Sequence, residues 1–118
     1  ALLWEVWSLA PSGERVDLCG ILRLSDVVAG CYAKAHYFFF DGRLSDKTPL
    51  LCKWKEWAFA PDGAGLHRIT IEVPAYAKAL ANHAIKRLGF EHEGTMKDAI
   101  RWRGSWHNID ILGCINGI

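Results

Sequence analysis

The sequence carries almost no net charge. Its 14 Lys and Arg residues are offset by 13 Asp and Glu, leaving a formal charge of +1. That balance supplies no bulk electrostatic pull toward nucleic acid or an anionic membrane. No apolar run approaches the roughly 20 residues a membrane helix needs. A basic, apolar, small-residue signal peptide is also missing from the opening residues. No CxxC pair occurs among the four cysteines, Cys19, Cys31, Cys52 and Cys114. Each lies in an apolar run, so the expectation is buried free thiols in a reducing cytosol, not disulfides or a metal site. The five histidines are dispersed and lack suitably spaced partners, which argues against zinc. Internal repeats, low-complexity tracts and interdomain linkers are absent as well. The chain starts at Ala1 and not at a methionine, which is consistent with native residues upstream.

What remains is a strongly apolar sequence. At 118 residues, 51% hydrophobic and with six tryptophans, it reads as one globular domain with a sizeable core. The clearest local signal runs from Leu66 to Gly94. Leu66 to Val73 alternates, with Ile69, Ile71 and Val73 on one side and Arg68, Thr70 and Glu72 on the other, the period of a half-buried strand. Pro74 ends that ladder because it has no N–H to donate. From Ala75 the period becomes helical. Ala77, Leu80, Ala81, Ala84, Ile85 and Leu88 share one face, and Lys78, Asn82 and Lys86 form a polar stripe. Lys86 and Arg87 suit the negative end of the helix dipole, and Gly89 is placed to end the helix. Phe90 opens another strand, with Gly94, Met96 and Ile100 on its side.

The flanking segments extend the pattern. Ala1 to Leu9, Val16 to Leu24 and Cys31 to Phe40 read as strands, the second bulged at Gly20. Ser25 to Gly30 reads as a loop or one helical turn. The apolar end Tyr37 to Phe40 suggests a central strand buried on both faces. A helix from about Lys47 to Phe59 places Leu50, Leu51, Trp54 and Ala58 inward. Ser45 or Asp46 can cap it, and Pro49 fits its first turn. Arg103, Gly104 and Ser105 make a hairpin turn before a closing strand, His107 to Ile115. The order predicts an α+β fold, a mixed and mostly antiparallel twisted sheet with crossover helices.

Three blocks carry a family resemblance: LHRITIEV (Leu66 to Val73), KRLGFEHEG (Lys86 to Gly94), and Gly104 with Asp110 in the closing hairpin. With Trp57, Ala58 and Phe59 ahead of them, they resemble the GNAT superfamily of acyl-CoA-dependent N-acetyltransferases. The likeness is greatest to the branch of ribosomal-protein N-terminal acetyltransferases and short phage-encoded relatives. It covers roughly Ala33 to Ile115. The family's first strand and two early helices have no counterpart, so the resemblance implies an N-terminally shortened version of that fold. It also implies acetyl-CoA as cofactor, a protein or small-molecule amine as acceptor, and a cytoplasmic setting (virion or host cytoplasm for a phage protein). A homo- or hetero-oligomer is compatible with it.

The resemblance places the cofactor between the Cys31 to Phe40 strand and the Leu66 to Val73 strand. Backbone groups of Phe38, Phe39 and Phe40 would hold the pantetheine arm. The family's glycine-rich pyrophosphate loop corresponds to DGRLSDKT, Asp41 to Thr48, where Gly42, Arg43, Ser45, Lys47 and Thr48 are the candidate contacts. The family's usual acid, a tyrosine, is replaced by Ile85. His36 lies near where the family often places its base, and a neutral imidazole can accept a proton near neutral pH. His83 is a second candidate, read otherwise as a solvated surface residue. Two readings stay open: an N-acetyltransferase, or a non-catalytic structural or interaction module of the same fold. Trp102 and Trp106, flanking the exposed turn, are the candidate partner contacts.

Overall fold

The computed structural model describes residues 2–40 and 42–117, so Ala1 and Asp41 of the sequence reading fall outside it. Six strands and two α-helices follow in the order β1 (Leu2–Leu9), β2 (Arg15–Val28), β3 (Tyr32–Phe39), α1 (Thr48–Phe59), β4 (Arg68–Pro74), α2 (Lys78–Arg87), β5 (Glu91–Trp102) and β6 (Ser105–Ile115). A 3₁₀ turn, Leu44–Lys47, leads into α1. The strands form one sheet in the order β1-β2-β3-β4-β6-β5. Every neighbouring pair is antiparallel except β3 and β4, which run parallel across the α1 crossover.

Both helices lie on one face of this sheet. Leu51 and Ala58 of α1 and Ala84 of α2 pack with Leu22, Leu24, Ala33, Ala35, Ile69, Ile71, Val73 and Leu112 in one core cluster. The alternation in β4 matches that burial, with Ile69, Ile71 and Val73 inward. Two side-chain hydrogen bonds tie the helices together: Thr48 Oγ1 to His83 Nε2 at 2.7 Å, and Lys55 Nζ donating to the Leu88 carbonyl at 2.6 Å. The second satisfies a carbonyl at the α2 C-terminus with a cation, which the helix dipole favours. Gly89, at φ 77°, then turns the chain so that the Phe90 amide bonds back to the Ala84 carbonyl.

Several expectations need correction. Ser25 to Gly30 is not a separate connection, since β2 continues to Val28 and only then turns. Tyr37 to Phe40 is not buried on both faces. Tyr37 and Phe39 pack against the core, while Phe38 and Phe40 are 63% and 53% exposed on the opposite face, which no described helix covers. The α1 N-cap is Lys47, with no side-chain cap from Ser45 or Asp46, because the 3₁₀ turn intervenes. Leu50 and Ile85 face outward, and α2 starts at Lys78 and not at Ala75. Among the thiols, Cys19 and Cys114 are buried, Cys52 is half-buried and Cys31 is exposed; all four are free.

The bulge expected at Gly20 is present. Val6 pairs with Gly20 and Trp7 with Leu18, leaving Cys19 as the extra residue. A Cβ on Gly20 would lie 2.5 Å from Phe39 Cδ1 and 2.6 Å from the Phe38 carbonyl oxygen. Only glycine lets β2 approach the end of β3 this closely, and that approach sets the wall of the site described next.

Candidate active site

The site grows from one interruption of the sheet. β3 and β4 pair at Tyr32–Arg68, Ala33–Ile69 and Lys34–Thr70, and their ladder ends there. Each strand keeps its other neighbour. β3 stays paired with β2 as far as Phe39–Gly20, and β4 with β6 as far as Pro74–Ile109. The sheet therefore splits into two halves that remain hydrogen-bonded internally. The facing backbone groups beyond Lys34 and Thr70 lack a strand partner across the gap, and such groups seek one.

The split opens a wedge of about 110 Å³, walled by His36 and Tyr37 of β3, Glu72 and Val73 of β4, and Leu80 of α2. A second hollow of about 210 Å³ adjoins it through Tyr37 and Leu80. That hollow reaches Phe38, Phe39, Gly42 and Leu44, at the entry to α1. The two together form a path from the β3–β4 fork to the N-terminal end of α1.

His36 stands in the wedge with its Nε2 2.9 Å from Ser25 Oγ. Ser25 is itself buried, so β2 anchors the imidazole from behind. Burial, and then the neighbouring Arg23 guanidinium, push the His36 pKa below its ordinary value. The shift favours the neutral ring, which can accept a proton, although His36 remains exposed on the helix-free face. Across the wedge Glu72 accepts from Lys34 Nζ at 2.9 Å, and Asp26 lies 3.7 Å from the same ammonium. Glu72 was missed as a candidate. Its only trace in the sequence is its place on the polar side of the alternating β4 run, and which strand it would face is a tertiary fact.

The predicted contacts divide in two. Phe38, Phe39 and Gly42 line the second hollow, and Phe40 packs edge-on against Phe38 with centroids 5.3 Å apart. Lys47 folds back so that its Nζ lies 5.5 Å from the Phe39 ring centroid and 3.5 Å from where a Gly42 side chain would begin. Arg43 and Ser45 are exposed on the 3₁₀ turn; the Arg43 carbonyl accepts from the Asp46 amide, and the Ser45 carbonyl from the Thr48 amide. The α1 N-terminus has no side-chain cap, but the Thr48 amide is already taken by Ser45 and Pro49 has no N–H, so the helix dipole and the adjacent cations are what this end offers an anion.

His83 is not the solvated residue expected. It binds Thr48, its Nδ1 is buried without a partner, and burial followed by Arg87 lowers its pKa. It faces the start of α1 and is not among the residues lining the wedge, so the structure does not bring it together with His36. No group of three or more His, Cys, Asp or Glu among the described residues is placed to hold a metal. No helix among them is long and apolar enough to cross a membrane.

A six-stranded sheet whose single parallel pair forks beside a crossover helix defines the fold of the GNAT acyl-CoA N-acyltransferases, and solved structures bear this out. One is a probable acetyltransferase, 22% identical, with a TM-score of 0.69 over 84% of this chain and 56% of that one. Another is the spermidine/spermine N-acetyltransferase SpeG of Vibrio cholerae, 17% identical, with a TM-score of 0.72 over 91% of this chain and 61% of that one. A single-residue mutant of SpeG reaches 0.76 at 15% identity, over 96% and 64%. This chain thus spans between 56% and 64% of these three proteins. No protein-family model and no curated protein sequence matches it.

Proposed function

We propose that the protein is an N-acetyltransferase that moves an acetyl group from acetyl-CoA to an amine. The observation that carries this reading is the forked β3–β4 pair, with a neutral histidine and a carboxylate in its wedge. Acetyl-CoA supplies an activated thioester carbonyl. The residues present fit it: unpaired β3 backbone for amide groups, and Arg43, Lys47 and the uncapped α1 terminus for phosphates. With the phosphates at that end, the acyl end points toward the fork. There Glu72 carries the charge to draw in an ammonium, and His36 can take its proton.

A protein amine or a small amine suits this arrangement, and the solved relatives named for spermidine acetylation favour the small one. The finer likeness, to the ribosomal-protein branch and its phage-encoded relatives, rests on Leu88-Gly89-Phe90 followed by Glu93-Gly94. Acetyl-CoA and CoA, titrated to millimolar, are expected to raise the melting temperature. Lys47→Glu should weaken that binding by roughly tenfold or more, the cost of about 1.5–3 kcal/mol for a lost charged contact plus the new repulsion. No stabilisation by either ligand would end this reading.

A second reading, a non-catalytic interaction module, is favoured by one feature. At the β5–β6 turn Trp102 stacks on Tyr76 at 4.7 Å, Arg103 lies 5.0 Å over Trp102, and Trp106 is 60% exposed. Such aromatic and arginine clusters mark contact surfaces. Light scattering should then give a mass above that of the monomer; a monomer at all concentrations counts against it.

A further inference from the structure

The fork already holds an amine. Lys34 forms the last rung of the β3–β4 ladder with Thr70, so it marks the closed end of the wedge. Its side chain keeps 38% of its surface exposed. It turns to Glu72, a wall of the wedge, at 2.9 Å, with Asp26 at 3.7 Å on the other side. His36, two residues along the same strand, lines the same wedge. An amine, a carboxylate that touches it and a neutral imidazole are thus set at the end of the path that starts at Gly42 and Lys47.

We propose that Lys34 is itself an acetyl acceptor, modified within one molecule by an acyl-CoA thioester bound in the wedge. This rests on the acetyltransferase reading above. The step balances as follows. The Lys34 nitrogen forms a bond to the acyl carbon, and the bond from that carbon to sulfur breaks. Nitrogen gives up two protons, one to the Glu72 carboxylate and one to His36. The departing thiolate takes up one, and one is released to water as both side chains return to their starting state. Acetylation removes the charge that neutralises Glu72 and Asp26. The rim of the wedge would then turn acidic and free Glu72 to receive an external ammonium, so the modification would convert a self-occupied site into an open one.

Chemical reactivity alone does not favour this lysine. Its hydrogen bond and charge interaction with Glu72 raise its pKa, which leaves less free amine than at an ordinary surface lysine. Preferential acetylation at Lys34 therefore reports positioning and not basicity.

The test incubates the folded chain with acetyl-CoA and maps acetylated lysines by peptide mass spectrometry, with urea-unfolded chain as reference and melting temperature recorded in parallel. Held in place, Lys34 should acquire acetyl on the order of tenfold faster than any other lysine, a modest share of what intramolecular placement can give. The preference should vanish in urea. The rate per molecule should not change on dilution, and Lys34→Arg should leave the other sites unchanged. If acetyl-CoA raises the melting temperature but Lys34 stays unmodified, or reacts no faster than its neighbours, this inference is overturned and the acetyltransferase reading survives. If acetyl-CoA causes no stabilisation, both fall together. A rate that rises with protein concentration also overturns it, since transfer would then occur between molecules.

Discussion

Replacing Leu51 with alanine is expected to lower the free energy of unfolding by about 3–4 kcal/mol. Leu51 is 2% exposed and is the largest fully buried side chain that α1 contributes to the core. It already borders a small apolar cavity of about 20 Å³ between α1 and the sheet, walled also by Leu24, Ala35, Trp54 and Ile71. Truncation would enlarge a space that exists, and the cost of such a change grows with the cavity left behind. Collapse is opposed because α1 is held at two points, Thr48 to His83 and Lys55 to the Leu88 carbonyl. Urea unfolding should show a lower midpoint with an unchanged slope. A loss under about 1 kcal/mol would mean that α1 slides to fill the gap, and that the clamp at its ends does not hold. Since the turn that leads into the same helix lines the second hollow with Leu44, the clamp also bears on the candidate site.

How much of this was legible in the sequence depended on whether the information was local. The change of period at Pro74 separates β4 from α2, and Gly89 with its left-handed backbone marks where α2 stops. Those are properties of neighbours in the chain, so the Leu66 to Gly94 stretch read almost as it folds. Phe38 and Phe40 were misjudged because four consecutive aromatic residues mask the alternation that every strand imposes, and only the helix-free face shows where they point. β2 runs further than its sequence suggests because Ser25 and Asp26 read as a polar break. The structure keeps the strand and absorbs the break in Asp26 at φ 51°. His83 and Glu72 were opaque for a different reason. Their partners, Thr48 and Lys34, lie 35 and 38 positions away, and pairing them requires knowing that α1 lies beside α2 and that β3 lies beside β4. The candidate site is built mostly from contacts of that second kind.

His36→Gln is expected to slow acetyl transfer by about 100-fold, the lower range for removing a positioned base, while leaving acetyl-CoA binding intact. The pH dependence separates a base from a merely structural residue. Burial and Arg23 hold the folded His36 pKa below its ordinary 6.5, so the ring is neutral and competent across the neutral range. The wild-type rate should therefore fall only as pH drops beneath 6.5 through the folded value, and this acid limb should be missing in the variant. Stability gives an independent readout. Between the folded value and 6.5 the unfolded chain binds more protons than the folded one, so stability rises with pH in that window. The contribution is complete above 6.5 and is lost as pH falls toward the folded value. Glutamine cannot titrate, so the variant should lose this slope while its side-chain amide keeps a bond to Ser25 Oγ. A variant that loses the stability slope but retains the wild-type rate and its acid limb would assign His36 to the architecture of the wedge. The proton would then have to leave through the Glu72 carboxylate, since the third ionisable group lining that space, the Tyr37 phenol, has its pKa pushed up to about 12 by burial and stays protonated.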